Sequence, residues 1–182
     1  NRSGADGTIG TDAVAKAPAD GYTLLFTSVG SLVINPAVVR KIPYDTLKDF
    51  SPITRVADNP MVWVVNPSLP VRSMKELVAL AKSRPGQLNY ASGGVGNINH
   101  LAVELFKVQA AVNILHVPYR GGLPAMTDVL AGNAEVLLTG IPVVLPYIKA
   151  GRLRAIGIVY TQRVPTLAQV PTMSEAGFPR YN

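Results

Sequence analysis

The sequence predicts an α/β fold in which short strands and longer helices surround a mostly parallel sheet. Apolar residues form short runs rich in Val, Ile and Leu, and these runs alternate along the chain with helical patterns. Several runs are apolar at every position, as strands buried on both faces of a parallel sheet are. The 182 residues also include 16 glycines and 15 prolines, which indicates many turns between short elements.

Seven apolar runs predict strands and six periodic segments predict helices. The predicted strands span residues 22–27, 53–56, 61–65, 88–91, 114–117, 136–138 and 153–159. The predicted helices span residues 9–16, 32–39, 73–83, 98–109, 123–131 and 143–150. Glycine follows three of these helices, at Gly86, Gly132 and Gly151, which is a common signal for a helix end. Ser73 and Glu76 form a capping-box pattern at the start of the third helix.

The composition argues against several classes of protein. Seventeen basic and eleven acidic residues give a net charge of +6, so the chain can attract anions. The basic residues are isolated rather than clustered with aromatic residues, so no nucleic-acid partner is predicted. Apolar runs are too short to cross a membrane, and there is no cysteine for disulfides or thiolate sites. The first residues lack the basic and apolar regions of a signal peptide.

The segment of residues 90–101 carries the clearest binding pattern. A predicted strand ends at Ser92, a turn with Gly94 and Gly96 follows, and Asn97 precedes a predicted helix. Backbone N–H groups in such a turn, together with the positive end of a helix, favour a carboxylate or a phosphate. The glycine spacing matches neither a P-loop nor the dinucleotide-binding fingerprint. The alternative is a tight glycine turn in which Asn97 caps the helix.

Two other junctions between a strand and a turn resemble this one. The first contains Ser28 and Gly30, and the second contains Tyr119 and Arg120. Loops of this kind converge at the carboxyl ends of the strands in open α/β sheets, so the three junctions are candidates for one binding site. Each of these residues also has a structural interpretation instead of a ligand contact. Ser28 would cap a helix, Tyr119 would fill the core and Arg120 would be solvated.

Catalytic patterns are absent from the sequence. There is no Gly-x-Ser-x-Gly or His-Glu-x-x-His motif, and there are only two histidines. His116 lies in an apolar strand, which favours a hydrogen-bonded core residue, whereas His100 in a first helical turn either contacts a ligand or supports the cap. A binding protein is therefore predicted, without a metal or cofactor. A hydrolase that depends on His100 and a structural remnant without a ligand remain as alternatives.

The chain resembles the tripartite tricarboxylate transporter receptor family, also called TctC or Bug solute-binding proteins. The resemblance extends over essentially the whole chain, because its motifs occur in the family order. The matching segments are residues 1–10, 19–25, 34–36, 43–45, 48–50, 90–93 with 100–101, 116–122, 148–155 and 170–177.

The resemblance implies a two-lobed periplasmic-binding-protein fold of the Venus flytrap type, type II, with an incomplete first lobe. Residues 1–58 would form part of the first lobe, 59–160 the second lobe, and 161–182 a segment that returns to the first. The family captures a small carboxylate between its lobes in the periplasm and delivers it to a membrane permease, without catalysis. Because the first lobe is incomplete, exposed apolar surface is expected to promote a homodimer.

The resemblance also implies which residues contact the ligand. Besides residues of the strand-end turns, the resemblance implies Thr139 as a ligand contact. Many relatives have an Asp-Asn pair at the position where this chain has Thr139-Gly140. The absence of that carboxylate predicts a preference for acids without an amino group. The predicted ligand contacts are Ser28, Gly30, Ser92, Gly94, Gly96, Asn97, His100, Tyr119 and Thr139.

Overall fold

The structure, a computed structural model, describes residues 7–181 and divides them into two compact units. Residues 7–56 form the first unit together with Gly96–Ile98. Residues 57–95 and 99–181 form the second unit, which contains every strand of the described residues. Among residues 7–181, none of the helices has the length and hydrophobicity needed to cross a lipid bilayer.

The second unit is built on a five-stranded sheet with the order β3-β2-β4-β1-β5. Strand β2 is parallel to both β3 and β4, whereas β1 is antiparallel to both β4 and β5. The strands are β1 (Met61–Val65), β2 (Asn89–Ser92), β3 (Leu115–Pro118), β4 (Val136–Gly140) and β5 (Arg154–Val159).

The prediction of a mostly parallel sheet is therefore wrong for β1. The chain leaves β4, passes through a helix and enters β5 in the same direction as β4, so this crossover skips one position in the sheet. Strand β1 occupies the skipped position and runs in the opposite direction. Apolar periodicity does not encode this direction, because a buried strand has the same pattern in either orientation.

Helices cover both faces of the sheet because each central strand is apolar on both sides. Trp63, Tyr90 and Leu138 contribute to a core with α3 and α4, while Val64 and Leu137 contribute to a core with α5 and α6. The four helices are α3 (Met74–Ser83), α4 (Ile98–Ala110), α5 (Gly122–Ala131) and α6 (Ile141–Lys149). Their bounds lie within two residues of the predicted ones. Ser73 caps α3 as predicted, since its Oγ accepts a hydrogen bond from the Glu76 N–H at 3.2 Å.

Residues 161–181 pack on the second unit. Met173 and Tyr181 are buried in the core that contains Trp63 and Phe106, and the Tyr181 hydroxyl donates to the Ala102 carbonyl at 2.7 Å. A short 3₁₀ helix, Pro165–Leu167, contributes Leu167 to the opposite core. The predicted return of residues 161–182 to the first lobe stays a prediction from the family resemblance.

The first unit contains α1 (Thr8–Ala15), a π-helical turn (Gly30–Ile34) and α2 (Asn35–Val38). The predicted helix over residues 32–39 thus begins in a π turn and ends one residue early. Side chains tie these segments together: Asn35 Nδ2 donates to Thr8 Oγ1 at 3.0 Å, and Thr46 Oγ1 donates to the Leu32 carbonyl at 2.8 Å.

Two of the predicted strands, residues 22–27 and 53–56, are not strands. Both have the local apolar pattern of a strand, but neither belongs to a β ladder among the described residues. A strand exists only when its backbone groups pair with a neighbour, and apolar patterning alone does not supply that neighbour.

Candidate ligand-binding site at the ends of the parallel strands

Strands β2, β3 and β4 end side by side at one edge of the second unit. Because the three strands are parallel and adjacent, their carboxyl ends meet there. Each strand leads to a helix: β2 to α4 through residues 93–97, β3 to α5 through residues 119–121, and β4 directly to α6. Helix N-termini carry backbone N–H groups without intrahelical partners and a partial positive charge, so this edge favours an anion. At α6 the Ile141 N–H already donates to the Pro60 carbonyl at 3.1 Å.

The Ser92 hydroxyl holds the glycine-rich turn in place. Ser92 is buried, and its Oγ lies 2.6 Å from His116 Nε2, 3.2 Å from the Gly94 N–H nitrogen and 3.1 Å from the Gly94 carbonyl oxygen. The φ angle of Gly94 is +138°, a conformation that residues with a Cβ rarely adopt. The hydroxyl therefore organises the turn, and glycine is required at position 94.

The turns after β2 and β3 are joined to each other. The Tyr119 N–H donates to the Ser92 carbonyl at 2.9 Å, and the Gly121 N–H donates to the Gly93 carbonyl at 3.1 Å. The Tyr119 hydroxyl donates to Asp128 on α5, and this hydrogen bond, together with burial, raises the pKa of Tyr119 to about 12. Tyr119 is thus held at its backbone and at its hydroxyl.

Both histidines lie beside this turn. The His116 ring stacks on the Tyr90 ring, with centroids 4.7 Å apart, and its centroid is 4.2 Å from that of His100. Burial lowers the pKa of His116, and the neighbouring His100 lowers it further. His116 is the hydrogen-bonded residue that the sequence predicts, since its Nε2 contacts Ser92 Oγ.

A charged group on α4 faces the same aromatic cluster. The Tyr90 hydroxyl donates to Glu104 Oε1 at 2.6 Å, and Lys107 Nζ donates to the same oxygen at 2.7 Å. Burial raises the pKa of Glu104, but the hydrogen bonds from Lys107 and Tyr90 outweigh it and hold that pKa below its ordinary value. The carboxylate at this position is therefore ionised and paired.

The antiparallel arrangement of β1 brings further polar residues to this edge. Met61 pairs with both Gly140 and Val159, so residues just before β1 and just after β5 reach the carboxyl end of β4. There the Tyr160 hydroxyl donates to Asp58 Oδ2 at 3.2 Å. A Cβ added to Gly140 would lie 2.8 Å from Asn59 Nδ2, so Asn59 occupies the space beside that glycine. Sequence reasoning missed Asp58, Asn59 and Tyr160, although the polar segment before β1 was a usable signal.

The predicted ligand contacts fall into both units. Ser92, Gly94, His100, Tyr119 and Thr139 belong to the second unit, and Thr139 is buried on β4. Ser28 is exposed and Gly30 is buried in the first unit, with which Gly96 and Asn97 are also grouped. Within residues 7–181, no cluster of three or more His, Asp or Glu side chains could hold a metal ion.

Comparison with known proteins identifies the family of the chain. The model of the tripartite tricarboxylate transporter family receptor, TctC, matches residues 1–181. Protein BugT of Bordetella pertussis is 41% identical over 182 residues, which are 100% of this chain and 56% of BugT. The chain therefore spans about half the length of that relative.

Solved structures agree with the sequence match. The R. palustris protein Rpa4515 with adipate superposes with a TM-score of 0.92 and 38% identity, over 100% of this chain and 61% of that one. MatC from Rhodopseudomonas palustris with bound malate gives a TM-score of 0.85 and 28% identity, over 98% of this chain and 60% of that one. The fold is thus an incomplete form of the periplasmic-binding-protein fold, and the chain belongs to the tripartite tricarboxylate transporter receptor family of solute-binding proteins.

Proposed function

We propose that this chain is part of a periplasmic receptor that captures a small carboxylate and presents it to a membrane permease, without catalysing a reaction. The main support for the proposal is the edge of the sheet at which β2, β3 and β4 end. Three helix N-termini follow those strand ends, and hydrogen bonds join two of the intervening turns. Backbone N–H groups and helix dipoles at one edge suit an anionic group without a catalytic base.

The ligand class is supported by the two relatives solved with adipate and with malate, both of which are small dicarboxylates. In this chain the ligand carboxylate would meet the turn at Gly94 and the neighbouring Tyr119, with His100 and Thr139 beside them. The contacts at Ser28, Gly30, Gly96 and Asn97 stay predictions from the family resemblance. The preference for an acid without an amino group likewise stays a prediction, based on Thr139-Gly140.

Calorimetric titration and thermal unfolding test the proposal with adipate, malate, succinate and aspartate, and with the uncharged 1,6-hexanediol as a control. A ligand that binds only the folded state raises Tm by mass action. We expect at least one unaminated dicarboxylate to bind and to raise Tm, and hexanediol to do neither. Tighter binding of aspartate than of succinate would contradict the predicted preference. If none of the acids bound, the chain would be a receptor scaffold without ligand affinity.

A pair of glycine variants locates the binding. Gly94→Ala imposes a side chain on a φ of +138° at the proposed site, and Gly132→Ala imposes one on a φ of +84° at the end of α5. Both changes strain the backbone by about 1 kcal/mol or more. We expect Gly94→Ala to abolish the response to the acid, and Gly132→Ala to lower Tm while the response persists. Equal loss in both variants would mean that the effect comes from stability and not from the site.

A further inference from the structure

The second unit contains a pocket at the end of the sheet opposite to the strand-end turns. Its volume is about 460 Å³, and it lies between the loop that precedes α3, the end of α6, the start of β5 and the segment before Thr172. Arg154 at the start of β5 pairs with Val65 at the end of β1, whereas the candidate site lies near Met61 at the other end. The two ends of β1, Met61 and Val65, are four steps apart along the strand, or about 13 Å. The pocket is therefore separate from the candidate site.

Two arginines, Arg72 and Arg154, line this pocket, and its lining contains no acidic residue. Arg154 is fixed in position because its Nη1 donates to the carbonyls of Leu69 at 3.2 Å and of Val71 at 2.9 Å. Its Nε and Nη2 donate no hydrogen bond within residues 7–181, so the edge of the guanidinium that suits a carboxylate remains available.

Arg72 is held through its backbone and not through its side chain. Its backbone N–H donates to Glu76 Oε2 at 2.6 Å, while its guanidinium forms no hydrogen bond or ion pair with any described residue. One anchored and one uncommitted guanidinium thus face the same cavity. The net charge of +6 adds a general attraction for anions.

The end of α6 does not cancel this positive charge. A helix C-terminus disfavours anions when its last carbonyls are unpaired. Here the Ile148 carbonyl accepts from the Gly151 N–H at 3.0 Å, and the Tyr147 carbonyl accepts from Arg152 at 2.9 Å and from Leu153 at 3.2 Å. These carbonyls are paired within the turn that closes the helix.

The rest of the pocket combines polar and apolar surface. Ile148 and Pro171 contribute hydrocarbon surface, and Gln169 adds an amide. Inorganic phosphate would leave that surface exposed to water, whereas an organic acid would cover it. We propose that this pocket binds a small organic carboxylate with an apolar body, its carboxylate between Arg72 and Arg154, as a second site independent of the strand-end turns.

Nuclear magnetic resonance on the whole ¹⁵N-labelled chain tests this site separately from the first. Benzoate is the probe, benzyl alcohol is its uncharged counterpart, and inorganic phosphate is the anion without an apolar body. We expect benzoate to cause saturable shifts at the amides of Gly151, Leu153 and Ala155, and the other two compounds to cause none. Equal shifts with benzyl alcohol, or benzoate shifts confined to Gly94 and Gly121, would overturn the proposal.

Two arginine variants complete the test. Arg72→Gln removes the uncommitted charge but keeps the backbone hydrogen bond to Glu76, and Arg84→Gln removes an exposed arginine at the other end of α3. We expect Arg72→Gln to weaken benzoate binding about tenfold, the effect of one charged hydrogen bond, and Arg84→Gln to leave it unchanged. Unchanged binding in Arg72→Gln, in a variant whose amide spectrum is otherwise that of the folded chain, would overturn the proposal. A response to adipate at Gly94 without a response to benzoate at Gly151 would leave the proposed function intact and reject this second site.

Discussion

His116 lies where the glycine-rich turn meets the sheet, between the rings of Tyr90 and His100 and against the hydroxyl of Ser92. These three contacting groups leave this imidazole little room for a bound proton and its hydration. The protonation state of His116 is therefore linked to the geometry of the glycine-rich turn that is proposed to bind the ligand.

We expect stability to decrease as pH falls, in a manner that depends on His116. Burial lowers the folded-state pKa of His116 below the ordinary value of 6.5, so the unfolded chain binds more protons as pH falls past 6.5. The stabilisation is present above pH 6.5 and is lost progressively until pH reaches the folded-state pKa. The charged groups that face this ring, His100, Glu104 and Lys107, are all on α4.

Urea unfolding at pH 7.5 and pH 5.5 checks this expectation in the wild-type chain and in His116→Gln, which keeps a hydrogen-bonding group but does not titrate. The variant should lose less stability between the two pH values than the wild type. The same loss in both proteins would assign the pH dependence to another group.

Single residues at the candidate site were predictable to the extent that they follow a strand along the chain. Ser92 ends β2, Gly94 follows in the next turn, Tyr119 comes directly after β3, and glycines mark both turns. Asp58, Asn59 and Tyr160 reach the same edge through β1 and β5, whose pairing is set by tertiary packing. The polar segment before β1 marks Asp58 and Asn59 as candidates, but no local pattern shows that β1 and β5 bring them to the carboxyl end of β4.

Strand β5 lies at the edge of the sheet, yet its centre is tightly packed. A Cβ added to Gly157 would lie 2.8 Å from Met74 Cγ and 3.1 Å from Met173 Sδ, where α3 and the segment after Pro171 meet the strand. Glycine at this position allows the two methionines to approach the backbone. Its role is steric, and it does not depend on an unusual backbone conformation.

Gly157→Ala is therefore expected to destabilise the second unit by about 1–3 kcal/mol, the usual cost of overpacking a core. Gly140→Ala is the matched control on β4, because its new methyl group would displace only the exposed amide of Asn59. The φ of Gly140 is −64°, which any residue adopts, so we expect its free energy of unfolding to change little. Chemical denaturation of both variants measures the difference, and equal costs would contradict the packing argument.

The elements of the second unit were predicted almost completely, whereas in the first unit the two predicted helices are present but the two predicted strands are not. Residues 61–65 form an uninterrupted apolar run that ends at Asn66 and Pro67, and the structure places β1 there. Residues 22–27 have an equally strong strand pattern, but the described residues supply no strand to pair with them. Local patterning predicts an element only where the tertiary structure completes it.

On the scale of the whole molecule, the two units differ in how much apolar surface they bury. The second unit has a core on each face of its sheet. In the first unit, Tyr22, Leu24 and Phe26 are 93%, 70% and 83% exposed. We call these three exposed side chains the apolar stripe, and exposed apolar surface of this kind is suited to contact with another apolar surface.

We expect the chain to self-associate through this stripe. Sedimentation velocity over a range of concentrations should show a dimer, and Phe26→Ser should shift the equilibrium towards the monomer. Val95→Ser is the control, because Val95 is an exposed apolar residue of the second unit and lies outside the stripe. A monomer at every concentration, or equal effects of the two substitutions, would contradict self-association through residues 22–26.

The hydrogen bonds between the turns after β2 and β3 also affect the entropy expected for ligand binding. Tyr119 and Gly121 already donate to Ser92 and Gly93, and Ser92 already holds Gly94, so both turns are ordered before a ligand arrives. In the proposed receptor, little conformational entropy would then be lost when a carboxylate contacts them. The second unit would present the ligand with turns that keep the same shape before and after binding.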